Sequence, residues 1–131
     1  MWANKIYRGI LFDFDGVLAQ SMEDNFKAWQ IATAKYGLTI KKDSYFTLEG
    51  MPAKDVVLNL FQDHGQGVPD IEKVVRLKDD YYLRFHQFKL YPGVITLIDN
   101  LVENQVPIGI VTGGQKTRIL KTVPETFLAK F

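Results

Sequence analysis

The sequence predicts an α/β fold in which an incomplete parallel sheet is interrupted by a helical insertion. Two short apolar segments, residues 6–12 and 107–111, have the composition of buried strands, and each runs into a polar turn that contains glycine. Between them, apolar side chains recur at helical spacing through residues 21–90. We therefore expect residues 1–20 and 91–131 to form the sheet portion and residues 21–90 to form the helical portion.

The first helix has recognisable start and stop signals. Ser21 begins it, Asp24 stands at the position of a capping-box acid, and Gly37 ends it. Residues 38–50 show no clear periodicity, so we predict no regular element there.

Four further helices are marked by proline, glycine and helical periodicity. One follows Pro52, and the next begins near Asp70. A fourth helix follows Pro92-Gly93 and precedes the second strand. The last helix is expected from Lys116 to about Val123.

Composition excludes several classes of protein. Sixteen Lys and Arg against fifteen Asp and Glu give a formal charge of +1, so there is no electrostatic basis for binding nucleic acid or an anionic membrane. The absence of cysteine removes disulfides and thiolate chemistry. No apolar run approaches the roughly 20 residues of a membrane span, and Asp13 and Asp15 interrupt the N-terminal apolar run, which is therefore not a signal peptide. We expect a cytoplasmic protein.

Asp13 and Asp15 carry the strongest chemical signal. Carboxylates two residues apart point to the same side where a strand ends, and ligands of α/β sheets bind at that edge. Their mutual repulsion favours a bound hard cation, most simply Mg²⁺, which also attracts phosphate. One acid can then attack phosphorus while the other transfers protons, and Gly16 allows a sharp turn that presents its N–H to the phosphate. The simpler alternative is a pair of turn-forming acids, which is the commoner origin of an isolated Asp-x-Asp.

These residues also resemble a known family. Residues 12–18, Phe-Asp-Phe-Asp-Gly-Val-Leu, resemble the first motif of the haloacid dehalogenase-like hydrolases. Thr112, directly after the second apolar segment, is similar to the second motif, and Tyr-Pro-Gly-Val at residues 91–94 is typical of the family. The helical insertion resembles the cap of the β-phosphoglucomutase and phosphoglycolate phosphatase branch. The resemblance implies a Rossmann-like core with a helical cap.

The resemblance implies a role for each matching residue. Asp13 becomes the nucleophile and a magnesium ligand, and Asp15 becomes the general acid/base with its backbone carbonyl on the metal. Thr112 and the Gly113 N–H hold the transferring phosphoryl group. Gly50 falls in the substrate loop of the cap, although a simple turn glycine is an equally good interpretation. Because the dehalogenase and phosphonatase branches lack an acid at the place of Asp15, the resemblance implies a small phosphorylated metabolite as substrate.

The sequence also departs from the family pattern. Asn25 stands where the mutases often carry His, which favours hydrolysis over mutase chemistry. No Lys in a third motif and no acid pair in a fourth follow Thr112, where Glu125 is the only acid. We therefore expect a C-terminally truncated core with a weak metal site, little activity, and a bare sheet edge that favours self-association. A phosphatase, a phosphomutase of the β-phosphoglucomutase type, and a non-catalytic fragment that binds a ligand or partner all stay open.

Overall fold

The computed structural model describes residues 6–131. The α/β fold class is confirmed: this part of the chain contains a parallel sheet of two strands, β1 (Ile10–Asp13) and β2 (Ile108–Val111), and seven helices. The helices are α1 (Met22–Ala34), α2 (Lys42–Phe46), α3 (Ala53–Asp63), α4 (Ile71–Phe85), α5 (Val94–Glu103), α6 (Lys116–Thr122) and α7 (Glu125–Leu128).

The two strands run parallel and in close register. Ile10 is the partner of Ile108, and Asp13 is the partner of Val111. The carboxyl ends of the strands therefore lie side by side, which brings the turns that follow them to one edge of the sheet.

The expectation that both strands are buried is wrong for one of their faces. Side chains alternate between faces along a strand, and Phe12, Ile108 and Ile110 pack onto an apolar cluster. The opposite face is open: Leu11 is 73% exposed and Val111 is 56% exposed. Within residues 6–131, β1 pairs with β2 alone, so its other edge carries no strand.

The helical segment, residues 21–90, has a core of its own. Helix α4 packs against α1 and α3, and short α2 fills the stretch for which the sequence predicted no element. We call its apolar core the helical cluster; its buried members are Phe26, Trp29, Leu38, Ile40, Tyr45, Leu48, Val56, Val57, Leu60, Phe61, Val74 and Val75.

A second apolar cluster lies under the sheet. We call it the sheet cluster; its buried members are Phe14, Leu18, Ala19, Val94, Ile98, Ile119, Val123 and Phe127. The last helix predicted from Lys116 to about Val123 is confirmed as α6, and the sequence reasoning missed short α7, which begins after Pro124.

The two connections between sheet portion and helical segment run side by side. The Gln20 N–H donates to the carbonyl of Lys89 at 2.7 Å, and the Tyr91 N–H donates to the carbonyl of Leu18 at 3.1 Å. The predicted capping box at the start of α1 does not form: Ser21 makes no side-chain cap, and Asp24 accepts a hydrogen bond from the Gln87 N–H at 3.0 Å. Among the described residues, no helix has the length and apolar character needed to cross a membrane.

Candidate active site

Asp13 ends β1 and is exposed to solvent. Its Oδ1 accepts the N–H of Phe14 at 2.7 Å. The turn that follows is tight, and Gly16 adopts φ +77° within it, as the sequence predicted. The Gly16 N–H, however, donates to the carbonyl of Ala19 at 2.9 Å, so it does not present the free donor that we expected for a phosphate.

Thr112 lies next to Asp13 across the strand ends, because Asp13 pairs with Val111 in the sheet. Its Oγ1 accepts the N–H of Gly114 at 3.1 Å, which orders a compact turn. The structure thus brings the two predicted motifs to one edge of the sheet.

A loop of the helical segment sits directly on this turn. A Cβ added to Gly113 would lie 2.6 Å from the carbonyl oxygen of Gly50 and 2.8 Å from that of Met51. No side chain fits between these backbones, so glycine is required at position 113 for this approach. Gly50, which the sequence singled out, is therefore close to the predicted phosphate-binding turn.

Asp15 is enclosed, and both of its carboxylate oxygens accept hydrogen bonds. Ser21 Oγ donates to Oδ1 at 2.6 Å, and Asn25 Nδ2 lies 3.3 Å from the same oxygen. Arg118 Nη2 donates to Oδ2 at 2.7 Å, and its Nη1 lies 3.4 Å from Oδ1. The Asp15 side chain is only 10% exposed and the Arg118 side chain 2%, so this is a buried ion pair.

Arg118 is the site residue that the sequence reasoning missed. It belongs to α6, and its guanidinium stacks over the ring of Tyr82 with 4.8 Å between its Cζ and the ring centroid. A Cβ at Gly114 would lie 2.3 Å from Nη2, so the missing side chain of this glycine makes room for the arginine. The spacing of buried Ile119 and Thr122 places Arg118 on the inner face of α6, and this was the available signal.

The environment of Asp15 keeps its carboxylate ionised. Burial alone raises the pKa of Asp15, but the charge and hydrogen bonds of Arg118 and the Ser21 hydroxyl together lower it below 3.8. Burial in turn lowers the pKa of Arg118, and the Asp15 carboxylate more than offsets that effect and raises it. Asp15 therefore carries no proton to donate while the pair is intact.

A small cavity lies beside the contact between the helical segment and the Gly113 turn. Its volume is about 30 Å³, and Asn25, Tyr45, Glu49 and Lys78 are among the residues that line it. Burial and the nearby Arg118 charge lower the pKa of Lys78 to about 8, while burial raises the pKa of Glu49. A cavity of this volume holds water but no metabolite, so a ligand at this place requires the helical segment to move.

Comparisons with known proteins identify the family. A family model described as haloacid dehalogenase-like hydrolase matches residues 10–131. The chain belongs to the haloacid dehalogenase-like hydrolase family.

Solved structures share this fold. A hydrolase from Pseudomonas syringae is 24% identical, with a TM-score of 0.80 over 88% of this chain and 54% of that one. A putative phosphoglycolate phosphatase from Lactobacillus plantarum is 22% identical, with a TM-score of 0.81 over 97% of this chain and 60% of that one. The β-phosphoglucomutase of Clostridium difficile is 21% identical, with a TM-score of 0.74 over 88% and 55%. The chain thus spans little more than half the length of these haloacid dehalogenase-like proteins.

Enzymes of the haloacid dehalogenase-like family generally use Mg²⁺, and the part of the chain that the structure describes offers only part of a site for it. Residues 6–131 contain no group of three or more His, Cys, Asp or Glu side chains placed to hold a metal. Mg²⁺ prefers six oxygen ligands in octahedral geometry and retains waters readily. The exposed Asp13 carboxylate suits it, whereas the Asp15 carboxylate is occupied by Arg118, which leaves the backbone carbonyl of Asp15 as its remaining donor.

A cleft of the described residues adjoins this haloacid dehalogenase-like site without containing its acids. Its volume is about 940 Å³, and it lies between the helical segment and α6. Gly113 and Arg118 form part of its wall, and Asp13, Asp15 and Thr112 do not.

Proposed function

We propose that this chain forms the nucleophile-bearing part of a phosphatase that acts on small phosphorylated metabolites through an aspartyl-phosphate. In this proposal residues 1–20 and 91–131 are the core and residues 21–90 the cap. The single observation that supports it best is the strand register, because the pairing of Asp13 with Val111 puts a carboxylate beside the Thr112 turn. Family membership supports hydrolase chemistry, and the +1 charge of the chain supports a small-molecule partner over a nucleic acid or a membrane.

The proposed reaction has two displacements at phosphorus. An Asp13 carboxylate oxygen attacks the phosphoryl group, and the bond from phosphorus to the leaving oxygen breaks while Asp15 gives that oxygen a proton. Water then attacks the phosphorus of the aspartyl-phosphate while Asp15 takes a proton from it. The bond from phosphorus to the Asp13 oxygen breaks, which releases inorganic phosphate and restores the Asp13 carboxylate. The Thr112 hydroxyl and the Gly113 N–H donate hydrogen bonds to the phosphoryl oxygens. Mg²⁺, held by the Asp13 carboxylate and the Asp15 carbonyl, would neutralise charge on those oxygens.

This scheme requires two changes from the state described above. Asp15 must separate from Arg118 before it can carry a proton, and the loop at Gly50 must withdraw from Gly113 to admit a substrate. Gly16 contributes the turn and not a free N–H. We therefore expect slow turnover by this chain.

Two other functions have specific support. The buried Asp15–Arg118 ion pair, together with the incomplete metal site, favours a non-catalytic chain that binds a ligand or partner. A phosphomutase of the β-phosphoglucomutase type uses the same acids, and one such enzyme shares the fold. Asn25, which lies 3.3 Å from Asp15 where mutases often carry His, favours hydrolysis.

Trapping the covalent intermediate tests the proposal. The chain is incubated with Mg²⁺ and acetyl phosphate, and intact-mass and peptide mass spectrometry locate any phosphoryl group. We expect one hydroxylamine-labile phosphoryl group on Asp13, none in Asp13→Asn, and an unchanged yield in Asp63→Asn, which alters an exposed acid at the end of α3. Equal labelling of Asp13→Asn and the unaltered chain would refute the assignment, and no labelling at all would favour the non-catalytic function.

The open edge of β1 supports a further proposal about partners. Leu11 is 73% exposed beside an edge without a strand in the described part of the chain, so we propose self-association through this edge in the cytoplasm. We expect the sedimentation coefficient to rise with protein concentration and Leu11→Lys to suppress the rise. A monomer at every concentration would contradict it.

A further inference from the structure

Arg118 has unused hydrogen-bonding capacity in a buried place. Its Nε is buried, and no acceptor for it lies among residues 6–131. Of the five N–H donors of a guanidinium, Asp15 engages one at 2.7 Å and a second only at 3.4 Å. Asp15 therefore leaves part of the hydrogen-bonding capacity of the Arg118 guanidinium unsatisfied. A buried donor without an acceptor is energetically costly.

We propose that Arg118 is a receptor for a phosphate group that enters the 940 Å³ cleft, and that its ion pair with Asp15 is the resting state. The entering oxyanion replaces the Asp15 carboxylate on the guanidinium. Asp15 is thereby released toward Asp13, a consequence that rests on the proposed function. The receptor role itself does not depend on catalysis.

The surroundings of Arg118 favour an oxyanion of this kind. Guanidinium groups bind phosphate oxygens in pairs, and this one lies over the Tyr82 ring, with 4.8 Å between its Cζ and the ring centroid. Gly114 leaves space against Nη2, where a larger residue would displace the guanidinium. The arginine can therefore keep its position while its partner changes.

The charges of the cleft place the anion against α6. The acids on its walls, Asp70, Glu72, Asp79 and Asp80, all belong to α4 or its N-cap. The wall from α6 contributes Arg118 and Lys121 and no acid. Lys54 and Arg76 add positive charge on the opposite wall. The positive and negative side chains that line the cleft are equal in number. The position of a bound anion is therefore determined by nearby hydrogen-bond donors and not by the overall electrostatic potential of the cleft.

The test is a titration of the ¹⁵N-labelled chain with inorganic phosphate, followed through the Nε–Hε NMR signal of Arg118. We expect this signal to shift with saturation. Because the Asp15 carboxylate competes for the guanidinium, Asp15→Asn should bind phosphate about tenfold more tightly or better. Arg118→Met should lose the binding, and Lys121→Met, on the same wall, should keep most of it.

If Arg118→Met fails to fold, Asp15→Asn still tests the proposal, because this variant retains the arginine and removes only the competing carboxylate. Phosphate that shifts only the amides of Thr112 and Gly113, or binds Asp15→Asn no more tightly than the unaltered chain, overturns the proposal. Absence of label on Asp13 in the trapping experiment leaves this result untouched, so the two failures can be told apart.

A second probe identifies the source of the phosphate group. If Arg118 takes a second phosphate of the substrate, 1,3-propanediol bisphosphate binds about tenfold more tightly than inorganic phosphate, and Thr112→Val removes the gain. If the bisphosphate and inorganic phosphate bind with equal affinity, the ligand of Arg118 is a free phosphate ion.

Discussion

Replacing Arg118 with Met removes the charged partner of a carboxylate that is only 10% exposed. Breaking a buried pair by removing one partner costs about 3–5 kcal/mol, because the remaining charge has lost its compensation. The Met side chain retains part of the packing on Tyr82, while the hydrogen bonds from Ser21 and Asn25 still support the carboxylate. We therefore expect the free energy of unfolding at pH 7 to fall by about 3 kcal/mol.

The cost should depend on pH in a defined direction. In the unaltered chain the pKa of Asp15 is below 3.8, so its contribution to stability is present above that pH and lost as the pH falls through the folded-state pKa. Without Arg118, burial raises the pKa of Asp15, and the variant loses stability as the pH rises from about 3.8. The difference between the two proteins should therefore shrink from pH 7 to pH 4.

Urea unfolding followed by the fluorescence of buried Trp29 measures this difference. Lys121→Met, an exposed cation of the same helix, is the matched control and should change stability by less than about 0.5 kcal/mol. Asp15→Asn combined with Arg118→Met should recover about 2 kcal/mol, since the uncompensated charge is gone. A loss below about 1 kcal/mol at pH 7, or an equal loss at both pH values, would refute the reasoning.

Three further predictions concern the same region. Gly114→Ala should lower stability by about 1–3 kcal/mol because its Cβ would lie 2.3 Å from the buried guanidinium, whereas Gly67→Ala, with nothing within 4 Å, should be neutral in the same urea assay. Gly113→Ala should push the Gly50 loop outward and speed amide hydrogen exchange at residues 48–51; unchanged exchange would mean that the loop tolerates the methyl group. Because burial lowers the pKa of Lys78 to about 8, below its value of 10.5 in the unfolded chain, stability should rise from pH 8 toward 10.5, and Lys78→Met should abolish that rise.

The order of elements could be predicted because each signal was local. Ser21, Pro52, Asp70 and Gly93 mark the N-terminal ends of helices, and all four stand at the helix N-caps. Helix α2 was missed because five residues are too few to show a helical period. The open face of the sheet was also missed, because an apolar strand has the same sequence pattern whether or not a second layer covers it.

The residues of the candidate site that stand at strand ends could be predicted from the sequence. The contacts that depend on how distant elements pack could not. Parallel strands bring Asp13 and Thr112 together by topology, so local pattern was enough. Asp15 and Arg118 are 103 positions apart, and their contact depends on how α6 meets the turn after β1. Arg118 was therefore invisible to motif spacing, although its place on the inner face of α6 could have raised the question. The catalytic and metal roles of the acids stay predictions.

The pairing of β1 with a strand near the other end of the chain has a consequence for synthesis on the ribosome. Residues 22–85 can pack as soon as they leave the exit tunnel, because the contacts of α1, α3 and α4 lie within that stretch. Ile10 has no partner until Ile108 has been synthesised, so the apolar strand β1 is without its hydrogen-bonding neighbour while the residues between them are made. A chaperone that shields extended apolar segments would therefore find its binding site in β1 and leave the early-folding helices alone.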